Sequence, residues 1–327
     1  MTSLAALAVE MLRYRVAVMI WMFMLLGAAY HRVGTLPLTD LLALTVALGA
    51  SYVAATTVND ICDEQIDRIN HPAGRGRPLV QGRTTPRELW QLNVIAAVVA
   101  LLAGSAVGVR GIAVVAASLL IGYAYSVPPL LISHRTFLAG PVLTLAYVLA
   151  PYLHGLALAD VTPSRHDVVF LAGLCGLFLS RIVLKDFRDR AGDAAYGKPT
   201  FLLRFGKEST CRLSRLALFA GAALTLVAVD GGPVIDLVGV TFVWAISTQL
   251  SALRGAGTPL AEQVAIGTGA KMGNGLLVCL LAWLLMGGNG ATPTAQAVFV
   301  VALAGLYGSS YVVLSRRPAE VLIGYKG

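Results

Sequence analysis

Two short windows carry acids at one spacing. The first, "NDICDEQIDRIN", reads Asp60-x-x-Asp63-x-x-x-Asp67. The second, "KDFRDRAGD", reads Asp186-x-x-Asp189-x-x-x-Asp193. Seven of the chain's seventeen acids, counting Glu64, lie in these windows. Positions i, i+3 and i+7 share one helical face, so each triad is expected to line three carboxylates along a stripe, with Asn59 joining the first as i−4 to Asp63. Like charges on one face repel, and beside lipid the cost grows. Hard divalent cations relieve it: carboxylate oxygens suit Mg²⁺, which is commonly shared with substrate phosphates.

Cations interleave with the acids: Arg68, Arg75, Arg77, Lys185, Arg188, Arg190 and Lys198. A metal cage needs carboxylates alone, whereas carboxylates together with cations point to a polyanion held by both, as in phosphate chemistry. A lone triad is equally well a solvated helix face with internal ion pairs. Two triads of matching spacing on one side of the chain's topology argue against that reading.

The elements that must position these windows are membrane helices. The chain is 57% hydrophobic and only 13% charged, with a mean hydropathy of +0.75, against about 25% charged residues in an average soluble domain. Several apolar runs reach the roughly 20 residues needed to cross a bilayer. An all-α polytopic bundle follows, with ten candidate spans near 14–31, 37–58, 88–109, 111–127, 137–158, 167–185, 212–229, 233–252, 272–288 and 295–315. Turns are marked by "GVRG" at 108–111, "VDGGP" at 229–233 and "MGGNGATP" at 286–293. Met1 to Arg13 reads as an interfacial lead-in helix with no cleavage pattern.

All but Arg32, Arg110 and Arg165 of the 25 Lys and Arg residues fall on one side if the N-terminus is inside. That asymmetry puts both termini and both acidic windows in the cytoplasm, in an integral protein of the cytoplasmic membrane. The net charge of +8 is read as this basic face, with no nucleic-acid partner. Four scattered cysteines without a CxxC pair are expected to be free thiols. No Rossmann, P-loop or zincin pattern is present.

A diphosphate-binding mouth above an apolar bundle suits a diphosphate head on a long hydrocarbon tail. Loss of pyrophosphate from an allylic diphosphate is eased when two Mg²⁺ neutralise the developing charge. The carbocation left behind needs a dry pocket faced by aromatic rings. Tyr123 and Tyr125, in "GYAYSVPPL", are the best-placed aromatics, although Tyr is also an ordinary interfacial belt residue.

These residues resemble the UbiA superfamily of intramembrane prenyltransferases. "NDICDEQIDRINHPAGRGRPLVQGR" is similar to that family's first motif, N-D-x-x-D-x-x-x-D with a following H-P and R-P-L. "KDFRDRAGDAAYGKPTF" is similar to the second, and "YSVPPL" to the Y-S-x-P-P segment after the fourth helix. The resemblance covers most of the chain and implies one domain over 1–327, with motif loops at 59–87 and 185–212. It implies a bundle of nine helices, so the ten spans read above exceed it by one. Cytoplasmic helical caps would cover a central cavity open laterally to lipid.

The resemblance further implies Mg²⁺-dependent transfer of a prenyl group from a polyprenyl diphosphate to an aromatic or lipid acceptor. Asn59, Asp63, Asp67, Asp186, Asp189 and Asp193 would hold the Mg²⁺–diphosphate. Asp60 belongs to the motif but points less squarely along its stripe, and would serve as a further metal ligand, a structural group or an acceptor activator. The resemblance makes Arg68, Arg77, Lys185, Lys198 and either Arg13 or Arg15 candidate diphosphate cations, and Tyr125 would sit near the allylic cation.

The sequence departs from the family where Y-S-x-P-P-L-R-L-K-R is common: Leu131 and Ser133 stand at basic positions, with His134 and Arg135 as possible substitutes. Two other activities are weighed. One is a UbiA-type terpene cyclase that quenches the cation without an acceptor. The other is an ion-coupled transporter, disfavoured because its acids normally lie mid-bilayer on broken helices. His71 reads as a turn residue, His31, His154 and His166 as interfacial residues on the opposite side, Lys271 as a possible cap of the cavity mouth, and the Gly-rich "AEQVAIGTGAKMGNG" as a close-packed helix face.

Overall fold

The structure is a computed structural model that describes residues 3–31, 37–74 and 76–317. Arg32, Arg75 and Lys326, named above for charge, lie outside the described residues. The chain folds as helices throughout, with no strand among the described residues. They run α1 (Leu4–Met11), α2 (Tyr14–Tyr30), α3 (Leu38–Cys62), α4 (Glu64–Asn70), α5 (Pro86–Gly104), α6 (Gly108–Ser126), α7 (Ala139–Thr144) and α8 (Ala150–Leu158). The second half follows with α9 (Arg165–Ile182), α10 (Asp186–Ala195), α11 (Phe201–Val229), α12 (Pro233–Gly255), α13 (Pro259–Gly288) and α14 (Pro293–Arg316).

Local sequence sets the helix ends. Thr85 and Ser164 each close a capping box, with Glu88 and Asp167 at the third helical position. Thr258 and Thr292 cap helices that start on Pro259 and Pro293, where a missing N–H costs nothing. Asp230 and Gly232, both with positive φ, turn the chain between α11 and α12, within the "VDGGP" turn.

Among the described residues, seven helical stretches are long and apolar enough to cross a membrane, and up to nine if two bent pairs each count as one. One of the seven, Pro86–Ser126, is a hairpin. The Tyr123 hydroxyl on α6 donates to Asn93 Oδ1 on α5, a contact that a straight helix rising about 1.5 Å per residue would forbid. The reversal runs over Ser105–Gly108 and closes on the first glycine of "GVRG", which has positive φ. Gly104 and Gly111 pack so closely that a Cβ on Gly111 would come within 2.1 Å of the Gly104 carbonyl oxygen. Each apolar run read in the sequence falls on helix, but α13 starts well before residue 272 and α11 well before 212.

Among the described residues three cores fill the bundle, the smallest around Leu218, Leu253 and Ile266 on α11, α12 and α13, beside two larger ones. One joins α1, α2, α3, α5 and α6 around Leu44, Leu89 and Val115. The other joins α2, α8, α9, α12 and α13 around Phe23, Tyr152, Phe170 and Leu280. His154 belongs inside this packing, fully buried with Nδ1 2.9 Å from the Ala150 carbonyl, so it is not an interfacial residue. α14 lies at the edge, mostly exposed, tied to α12 by Tyr311 through Gln249 and Thr248.

The acid-bearing helices α4 and α10 lie over one end of the bundle. α10 is bent 58° from α9, and it rests on α4 through a hydrogen bond from the Gly192 N–H to Asn70 Oδ1 at 2.6 Å. Gly192 is required by proximity: a Cβ there would lie 2.5 Å from the Ile66 carbonyl oxygen.

Candidate active site

The first acidic window is not one continuous stripe. α3 ends at Cys62, Asp63 takes a non-helical conformation as its cap, and α4 restarts at Glu64. The break turns Asp60 away from its two partners. Asp60 is buried, and its Oδ1 accepts from Arg13 at 2.6 Å and Arg77 at 2.9 Å. It does not line the cavity described below. The second window is a single helix, yet Asp186 is also buried outside the cavity lining and pairs with Lys185 at 2.7 Å.

The remaining four carboxylates, Asp63, Asp67, Asp189 and Asp193, line the mouth of a cavity of about 720 Å³. Two basic side chains, Lys198 and His71, bridge the windows across it. Lys198 Nζ lies 3.5 Å from Asp63 Oδ2 and 3.6 Å from Asp193 Oδ1. His71 Nε2 lies 3.6 Å from Asp189 and 3.9 Å from Asp67. Asn59 donates to Asp63 at 3.0 Å. Arg77 Nε stands 2.8 Å from Asp67 Oδ2, near as charges though not aligned as a hydrogen bond.

Burial raises the energy of these charges unequally. For Asp67, burial first and then the charges of Asp60 and Asp63 push the carboxyl up to about 8. Burial pushes Asp193 up to about 6 against the pull of Lys198. Asp189 is also penalised by burial, but Arg188, His71 and Lys185 outweigh it and hold the carboxyl well below the usual range. Burial pulls the Lys198 ammonium down, but Asp63, Asp193 and Tyr125 together outweigh it, so it is raised.

The residues present fit a hard divalent ion. Asp67 Oδ2 and Asp193 Oδ2 are buried without a hydrogen-bond partner, and the donor set is carboxylate oxygen. Among the described residues, no three His, Cys, Asp or Glu side chains converge into a ready-made cage. Mg²⁺ needs none, since it takes one or two carboxylates and fills its shell with water and phosphate oxygens.

Of the expected cations, Arg13, Arg77, Lys185 and Lys198 line the cavity. Arg68 does not: it pairs with Glu64 one turn away and stays half-exposed. Arg15 is exposed beside the ring of Tyr14. Arg190 reaches Glu262 on α13. Tyr125 lines the cavity, whereas Tyr123 faces away to Asn93. Lys271 is not among the lining residues. The altered stretch forms a short turn, Ile132–His134, with Ser133 buried. Burial and the nearby Lys198 hold His134 below its ordinary range.

Among the lining residues that escaped the sequence reading are three aromatics and a cation, Tyr52, Tyr147, Phe178 and Arg181. Tyr147 stacks on Phe178 with centroids 5.6 Å apart, and Tyr52 meets Tyr147 edge-on at 5.8 Å. Two had a legible signal. Tyr52 lies two turns from Asn59 on the same face, and Arg181 one turn from Lys185. Tyr147 and Phe178 stand in apolar runs with nothing to mark them.

A model of the UbiA prenyltransferase family matches residues 20–263. The chain is 28% identical over 200 residues to the bacteriochlorophyll synthase 33 kDa chain of Rhodobacter capsulatus, covering 59% of this chain and 62% of that one. It is 28% identical over 240 residues to the digeranylgeranylglyceryl phosphate synthase of Methanospirillum hungatei, covering 71% and 81%. In fold it is similar to a UbiA homolog from Archaeoglobus fulgidus bound to GPP and Mg²⁺, with a TM-score of 0.57 and 16% identity over 94% of this chain and 98% of that one.

Proposed function

The chain belongs to the UbiA prenyltransferase family, and from that premise we propose that it is a Mg²⁺-dependent intramembrane prenyltransferase. It moves an isoprenoid group from an allylic polyprenyl diphosphate to an aromatic or lipid acceptor and releases pyrophosphate. The observation that carries this reading is the facing of the two acidic windows, bridged by Lys198 and His71, over a cavity whose deeper wall is aromatic.

In this reading Asn59, Asp63, Asp67, Asp189 and Asp193 would hold two Mg²⁺ ions, while Asp186 supports Lys185 and Asp60 supports Arg13 and Arg77. Bound there, Mg²⁺ supplies charge neutralisation for the leaving diphosphate. Lys185 and Lys198 donate to diphosphate oxygens as point charges, and Arg77 adds a forked donor from the loop after α4. The C1–O bond of the donor breaks at this mouth, and the pair of electrons leaves with pyrophosphate. Tyr125, Tyr147 and Phe178 present ring faces to the allylic cation and keep water out until the acceptor attacks.

Orientation follows from charge. The protein is integral to the membrane, and we place both windows at its cytoplasmic face, where nearly all Lys and Arg residues fall. With each bent pair counted as one crossing and the α5–α6 hairpin as two, ten crossings return the C-terminus to that face. The whole chain then forms one domain.

The test is incubation of purified full-length protein with Mg²⁺ and geranyl, farnesyl or geranylgeranyl diphosphate, with and without phenolic or glycerophosphate-lipid acceptors. Pyrophosphate release that requires an acceptor, with a prenylated product, supports the transferase. Acceptor-free release with a hydrocarbon or alcohol product points to the cyclase instead. No release from any donor contradicts both.

A further inference from the structure

Beside the large cavity lies a smaller apolar chamber of about 50 Å³, enclosed by α2, α9, α11, α12 and α13. Met19, Phe178 and Arg181 line both spaces. Arg181 marks the rim between them: its Nη1 donates to Asn274 Oδ1 at 2.6 Å and lies 3.4 Å from Met19 Sδ. Those two bonds hold the guanidinium at the wall, and the flexible thioether of Met19 can yield to a passing chain.

Gly269 and Gly273, on the α13 side of the chamber, are not there for close packing. A Cβ on Gly273 would meet no atom within 4 Å, and one on Gly269 only Gln249 Cβ at 3.5 Å. By contrast, a Cβ on Gly275 would strike Phe242 and Tyr307 at 2.6 and 2.7 Å. The Gly-rich stretch therefore does two things: Gly275 packs, and Gly269 and Gly273 keep space open at Arg181.

We infer that this chamber receives the far end of a long isoprenoid donor and so sets which chain lengths the protein accepts. The inference rests on the prenyl-diphosphate reading above. With the head at the acidic mouth and the first units beside Tyr147 and Phe178, a longer tail reaches the rim that Phe178 shares with the chamber. What lies beyond is apolar, as a hydrocarbon end requires. Gly273, with no side chain, leaves that path open, and a side chain placed there would act as the stop.

The experiment measures equilibrium binding of radiolabelled geranyl and geranylgeranyl diphosphate, with Mg²⁺, to the full-length protein in nanodiscs. Gly273→Leu fills the chamber, Gly273→Ala fills it in part, and Leu250→Ala enlarges it. Expected for Gly273→Leu is geranyl diphosphate binding within about two-fold of wild type and geranylgeranyl diphosphate binding weakened about ten-fold or more. Gly273→Ala should fall between, and Leu250→Ala should favour the longer donor.

Equal binding of both donors by Gly273→Leu and wild type overturns the inference and leaves the chamber to an acceptor or a lipid chain. Equal weakening of both donors also overturns it, since the effect then lies at the mouth. If wild type binds neither donor, the failure is that of the prenyl-diphosphate reading itself.

Discussion

Lys198 reaches Asp63 across 135 positions of sequence, Nζ 3.5 Å from Oδ2, and stands 3.6 Å from Asp193 as well. One ammonium thus neutralises a carboxylate from each acidic window. It holds the two sides together against their repulsion, and in the proposed reading it stands where the diphosphate would bind.

Lys198→Ala should therefore split two affinities that are usually lost together. Without the competing ammonium, Mg²⁺ alone should bind about three- to ten-fold more tightly, since a nearby like charge is removed from its ligands. The diphosphate donor should bind more weakly, having lost a direct partner. Calorimetric titration with Mg²⁺, then with geranyl diphosphate at saturating Mg²⁺, reads both. Parallel losses would show that Lys198 only supports the fold.

Asp60 should behave as a structural group. Its Oδ1 is shared by Arg13 and Arg77 in a buried setting, so Asp60→Ala leaves Arg13 without its anion and Arg77 with Asp67 alone. Breaking such a pair costs about 3 kcal/mol or more. Thermal unfolding in detergent should show a clear drop in Tm. An unchanged Tm together with lost Mg²⁺ binding would return Asp60 to the metal site.

Mg²⁺ binding should strengthen from pH 6 to pH 8 and release protons. Asp67, raised to about 8, and Asp193, raised to about 6, must ionise before they can hold a cation. For stability the sign runs the other way. A carboxyl raised in the folded state favours the cation-free fold at low pH, and that contribution is lost as pH climbs from the ordinary carboxylate range towards 8. Melting curves at pH 6 and 8, with and without Mg²⁺, should show the protection by Mg²⁺ growing with pH. A flat dependence would contradict the assignment.

Arg68 and Arg15 should be dispensable. Both are exposed, one in a surface pair with Glu64 and one beside Tyr14, and such contacts are worth about 0–1 kcal/mol. Alanine at either position should leave donor KM and turnover within about two-fold of wild type. A loss of ten-fold or more at Arg68 would mean that α4 turns when the donor binds.

Much of this arrangement was legible in sequence because it rests on period and charge. The apolar runs fall on helices, and the matched acid spacing pointed to two windows that the fold does bring together. What spacing hides is a break. Nothing in "NDICDEQID" announces that α3 stops at Cys62, and that stop sends Asp60 to Arg13 while Asp63 and Asp67 face the cavity. Partners distant in sequence were equally hidden. Lys198 and His71 become bridges only once α4 and α10 pack through Asn70 and Gly192, and Tyr147 and Phe178 look like any other aromatic in a membrane helix. Arg68 and Tyr123 fit the motif spacing but sit on the wrong face of their helices.

The central claim is that the two windows act as one grip on a cation-bound diphosphate. Its most direct test is Mg²⁺-dependent pyrophosphate release from geranylgeranyl diphosphate by wild type, Asp63→Ala and Asp189→Ala, each shown to be folded by size-exclusion chromatography. Release should need Mg²⁺ and fall by about a hundred-fold or more in each variant. Release that persists in EDTA, or that survives either substitution at the wild-type rate, would contradict it.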